Sequence, residues 1–107
     1  MIVLKYGFEF GNDHSCLSSI NEEAVNMFGG YIVNNDSINI DITLSARLIS
    51  LCEEYQTSLN WESPQDPSPW SQEQKDSFFN RARQAYYDLV EQLGNNYNVI
   101  FDVFIPQ

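Results

Sequence analysis

The chain has 107 residues, enough for one domain that buries roughly 60 to 68% of the surface exposed when unfolded, so a core forms without disulfides or metals. With 43% hydrophobic and 14% aromatic residues it is too apolar for a disordered acidic tail, although 15 acids against 5 bases leave a net charge of -10. The acids run along the whole chain, so the charge belongs to a folded surface, which disfavours nucleic acid and anionic membrane as partners and favours a basic macromolecule.

At the start, Ile2, Leu4, Tyr6, Phe8 and Phe10 alternate with Val3, Lys5, Gly7 and Glu9, which predicts a strand from Ile2 to Phe10 with one buried face. This alternation lacks the unbroken apolar run of a signal peptide, and no apolar stretch is long enough to cross a membrane, so a cytoplasmic protein is expected. "GNDHSCLSSINEEAVNMFGG" reads as a loop or one short helix around Glu22 to Phe28. "YIVNNDSINIDI" reads as a hairpin turning at Asn34, Asn35 and Asp36, with Ile38, Ile40 and Ile42 sharing one face.

Leu44, Leu48, Leu51, Cys52, Tyr55 and Leu59 recur at helical spacing and predict a helix from about Ala46 to about Asn60, capped by Ser45, with Leu44 packed on Ile49. Pro64, Pro67 and Pro69 then forbid helix, leaving a stiff connector with Trp61 and Trp70 at its two ends. Ser71 and Gln74 form the pattern of a capping box, and Phe78, Ala82, Ala85, Tyr86, Leu89 and Leu93 make the buried stripe of a second helix, which Gly94 ends in the left-handed conformation. Tyr97, Val99, Phe101, Val103 and Ile105 alternate again as a last strand, closed by Pro106. The order predicts a single α+β domain over residues 1–107: a small, mainly antiparallel sheet of about four strands with two principal helices on one face.

No residue order points to catalysis. His14 is the only histidine, and its neighbours Asp13 and Cys16 have no second ligand cluster, so no metal or other cofactor is expected. Cys16 and Cys52 read as reduced thiols, with Cys52 in the core. Glu22-Glu23 and Glu53-Glu54 are adjacent pairs, which diverge by about 100° on a helix and face no common substrate. Arg47, Lys75, Arg81 and Arg83 have no acid three or four residues away, and Glu53, Glu54, Asp88 and Glu91 have no base there, so each must face water, pair across the fold or meet a partner. A pair between one of the arginines and Asp102 is the expected use of such a charge. Trp61 and Trp70 are expected to lid the core between the helices, and the connector to present a binding anchor, tryptophan being enriched at interface hot spots.

Three segments carry a resemblance. "ITLSARLISLCEEYQTSLNW" has a Leu-Ser start, regularly spaced leucines and a closing aromatic; "PWSQEQKDSFFNRARQAYYDLVEQLGNNYNVIF" has a Phe-Asn pair at Phe79-Asn80, a Leu-Gly terminus and a Tyr-x-Val strand; "LKYGFEFG" is an aromatic first strand. Together they resemble, over about two-thirds of the chain, the immunity proteins of bacterial polymorphic toxin systems, including contact-dependent growth inhibition. The resemblance implies a protein that binds and neutralises a cognate toxin domain without catalysing a reaction. Joined to the acidic surface, it gives a basic nuclease as the expected toxin, blocked at its active site or substrate groove, with Glu53, Glu54, Trp61, Glu62 and Asp66 as the expected contact residues. The alternative is an acidic adaptor that binds a basic segment of another protein with no toxin involved.

Overall fold

A computed structural model describes residues 1–106. Four strands, β1 (Ile2–Tyr6), β2 (Leu17–Ser19), β3 (Ile32–Val33) and β4 (Tyr97–Phe101), form one sheet in the order β3-β2-β1-β4. The helices are α1 (Glu22–Phe28), α2 (Ile42–Gln56) and α3 (Gln72–Leu93). The fold is therefore α+β, as the element order predicts. Two of the three strand pairings are antiparallel, and β1 with β4 is parallel, so the sheet is mixed.

β1 takes the centre because its alternation is the strongest in the chain: Ile2, Leu4 and Tyr6 are buried and Val3 and Lys5 half-buried. It ends at Tyr6 rather than Phe10. Gly7 explains how β4 can follow β1 this far: a Cβ there would land on the carbonyl oxygen of Asp102, whose N–H donates to the Tyr6 carbonyl at 2.8 Å. Gly7→Ala is expected to cost about 1–3 kcal/mol, because the obstructing atom is backbone that cannot yield without losing that bond. A lowered urea midpoint at unchanged slope is the expected reading, and an unchanged midpoint would refute the close approach.

Between β1 and α2 the structure departs from the expected elements. The predicted hairpin at Asn34–Asp36 is not formed: β3 is followed by a 3-10 turn at Asn35–Ser37, Ile38 is buried, and Ile42 is 86% exposed on the first turn of α2. The partner of β3 is β2, a serine-rich three-residue strand without the apolar alternation that marks a strand in sequence. Helix α2 starts four residues before Ala46, since the Asp41 carboxylate accepts from the Leu44 N–H at 2.7 Å and caps the helix ahead of Ser45.

α3 follows the sequence closely. The Ser71 hydroxyl accepts from the Gln74 N–H at 3.1 Å and the Gln74 side chain accepts from the Ser71 N–H at 2.8 Å, a complete capping box. At its other end Gly94 has φ 83° and ψ -168°, a positive-φ extended conformation that glycine alone adopts without strain, in place of the expected helical left-handed one. Twenty-two residues at 1.5 Å give a helix of about 33 Å, nearly the 39 Å long axis of the molecule.

Leu4, Tyr6, Leu44, Leu48, Phe78, Ala82 and Leu89 anchor the core between sheet and helices. The small Ala82 lets α3 approach closely enough for the buried Tyr6 hydroxyl to donate to the Ala82 carbonyl at 2.8 Å. Burial pushes the Tyr6 phenol well above its ordinary value of 10.0. The folded state therefore keeps a proton that the unfolded chain loses, so stability is full below about pH 10 and falls above it by about 1.4 kcal/mol per pH unit. Urea midpoints between pH 9 and 11 should decline less steeply in Tyr6→Phe; parallel declines would show that Tyr6 is not responsible.

Candidate functional site

The end of α2, the connector to α3 and the turn after β1 meet at one edge of the molecule. Gln56, the last residue of α2, ties them together. Its side-chain amide donates to the carbonyls of Glu9 at 3.0 Å and Asn12 at 3.1 Å, and its carbonyl accepts from the Gly11 N–H at 2.8 Å. The Gln56 backbone carbonyl, free at the helix end, accepts from the Trp61 indole N–H at 2.6 Å. Turn and connector are thus fixed to the same residue.

The two tryptophans divide in role. Trp70 is buried, donates to the Thr57 hydroxyl at 2.8 Å and packs on Phe78 with ring centres 5.1 Å apart, closing the core between the helices as predicted. Trp61 does not lid the core; it is 55% exposed and meets Phe10 at 5.9 Å with the rings at 86°. Phe10 itself stacks on buried Tyr55 at 4.7 Å. Sequence reasoning missed Phe10 and Gln56 as parts of this edge: Phe10 looked like the end of a strand, and a single glutamine on a helix gives no signal.

Of the predicted contact residues, Glu53, Glu62 and Asp66 are exposed, on α2 and on the connector. Asp66 is set by a turn in which its N–H donates to the Ser63 carbonyl at 2.9 Å. Glu54 has a different role: its two oxygens accept from the two terminal nitrogens of Arg81 at 2.8 and 2.5 Å, bridging α2 to α3. That carboxylate first, by hydrogen bonding, raises the Arg81 pKa further. Asp102 is not the partner of Arg81, contrary to expectation. Arg47 crosses the same helix pair to Asp88 at 2.6 Å. Both pairs are substantially exposed and contribute about 0–1 kcal/mol each.

This pairing leaves an uneven surface. The five Lys and Arg residues are 5, 47, 75, 81 and 83, so none lies between 6 and 46 or between 48 and 74. Glu53, Glu62 and Asp66 make no ion pair among the described residues, and neither does Glu9, while Asp13 approaches only His14 at 3.6 Å.

Among the described residues no three His, Cys, Asp or Glu side chains come together as metal ligands. Cys16 is buried, and its hydrogen bond with Cys52, followed by desolvation, pushes its pKa well up, which disfavours a thiolate nucleophile. No helix among the described residues is long and apolar enough to cross a membrane.

No curated protein matches the chain. A family model described as Serratia CdiI immunity protein-like matches residues 13–103, which include α1, α2, the connector, α3 and β4. With most of its length inside that match, the chain belongs to the Serratia CdiI immunity protein-like family, the immunity proteins of contact-dependent growth inhibition.

Proposed function

We propose that the protein binds its cognate toxin domain, a basic nuclease, in the cytoplasm and blocks the active site or substrate groove without itself catalysing a reaction. The observation that carries this reading is the acidic edge: Glu53 near the end of α2 and Glu62 and Asp66 on the connector that carries exposed Trp61 are all exposed and make no ion pair, and no Lys or Arg lies between 48 and 74. A nuclease needs a cationic groove for phosphate, and such a groove is attracted to this edge by the same field. Glu54, held by Arg81, sits at the margin and keeps α2 and α3 in register beneath the contact. A standard interface removes about 800 Å² from each partner, close to an eighth of the 6330 Å² surface here.

Co-expression with the toxin domain encoded beside this gene tests the reading. Cells should survive only when both are made, the two should co-purify, and nuclease activity on RNA or DNA should disappear in the complex. A toxin that acts on something other than nucleic acid would remove the nuclease. Capture of an unrelated basic protein with no protection would replace the toxin reading by the adaptor.

A further inference from the structure

The acidic edge contains an aromatic corner whose chemistry is more specific than its charge. Phe10 and Trp61 meet nearly at right angles, 5.9 Å between centres, and both are exposed, by 37% and 55%. The Trp61 N–H is occupied by the Gln56 carbonyl at 2.6 Å, so the indole offers a partner its π surface rather than a hydrogen-bond donor. Tyr55 backs Phe10 at 4.7 Å, and Gln56 pins the turn that carries it, so the corner is held before any partner arrives. Ring faces attract cations, arginine most of all because its planar guanidinium also stacks.

We infer that the Phe10–Trp61 corner is a receptor for a guanidinium side chain of the partner, the acids around it supplying long-range attraction and the rings supplying selectivity. An apolar anchor is the competing occupant, but the connector acids Glu62 and Asp66 beside Trp61, and Glu53 on α2, are exposed and make no ion pair, so they favour an incoming cation over a neutral group. The inference takes its partner from the proposed toxin binding. The corner itself is testable without a toxin.

The probe is hexa-arginine, followed by the two indole N–H resonances of the full chain at low salt. The Trp61 signal should move and the buried Trp70 signal stay, with the latter also reporting an intact fold. Phe10→Leu, which changes no charge and keeps the Trp61 signal, should weaken binding by about threefold to fivefold; hexa-citrulline, uncharged but of the same shape, should leave Trp61 unmoved. A Trp61 signal indifferent to hexa-arginine overturns the inference. So does binding that survives Phe10→Leu at wild-type strength, since the acids alone would then account for it. Peptide binding without protection in the co-expression test would sink the toxin reading and leave the corner standing; protection with a silent corner would do the reverse.

Discussion

Phe78→Ala is expected to destabilise the fold by about 3–5 kcal/mol, a large share of the roughly 5–15 kcal/mol available to a domain of this size. The ring is fully buried and sits where three segments converge: Phe8 after β1 at 5.2 Å, Trp70 from the connector at 5.1 Å and Tyr55 of α2 at 5.9 Å. Removing it leaves a cavity walled by stiff rings that cannot collapse into it, and the cost of a cavity rises with how much of it remains. At a urea slope of about 1–3 kcal/mol per molar, the midpoint should fall by more than a molar. Phe78→Leu keeps most of the volume, so the difference between the two variants isolates the cavity from the lost aromatic contacts. A midpoint within a few tenths of a molar of the wild type would show that the rings do relax. The functional edge should suffer with the core, because Tyr55 supports Phe10.

How far the sequence discloses this molecule depends on whether the information is local. The α3 capping box is local, four residues that satisfy one another's backbone groups, and it reads correctly. So does the alternation in β1 and β4, where burial on one side leaves a period of two, although both strands stop sooner than it predicts, β1 at Tyr6 and β4 at Phe101 rather than Ile105. β2 does not, because Leu17–Ser19 becomes a strand through its neighbours, held between β1 and β3. The Asn34–Asp36 cluster is a good turn sequence, but turn residues also suit a 3-10 turn, and Asp41 then claims Ile42 for the helix. Charges behave similarly: the absence of i±4 partners correctly required Arg47 and Arg81 to look elsewhere, yet only the α2–α3 packing selects Asp88 and Glu54. At the candidate site, Trp61 and the connector acids were visible as residue types. The corner was not, because it requires a turn after β1 to be tied to the end of α2, 45 residues away, by one glutamine.

Reversing Glu53, Glu62 and Asp66 together to lysine should slow association with the toxin domain by about tenfold to a hundredfold at low salt, through steering rather than through lost contacts. Each reversal adds two positive charges, moving the net charge from -10 to -4, and all on the edge proposed to meet the toxin. The slowing should be greatest near 0.01 M salt, where the screening length is about 30 Å, and nearly gone at 1 M, where it is about 3 Å. Folding stability should shift by no more than about 0.5 kcal/mol, since none of the three acids has a cationic partner to lose. Glu54 is left out of the set for that reason: a lysine there would face Arg81 and confound stability with binding. Trp61→Ala should give the opposite kinetic signature, with association little changed and dissociation about tenfold or more faster, because an anchor acts after encounter. Association rates of the triple variant equal to wild type at low salt would place the toxin on another face, and the open side of the sheet around Ile20, Ile32 and Ile100, each exposed by more than two-fifths, would then be the next surface to test.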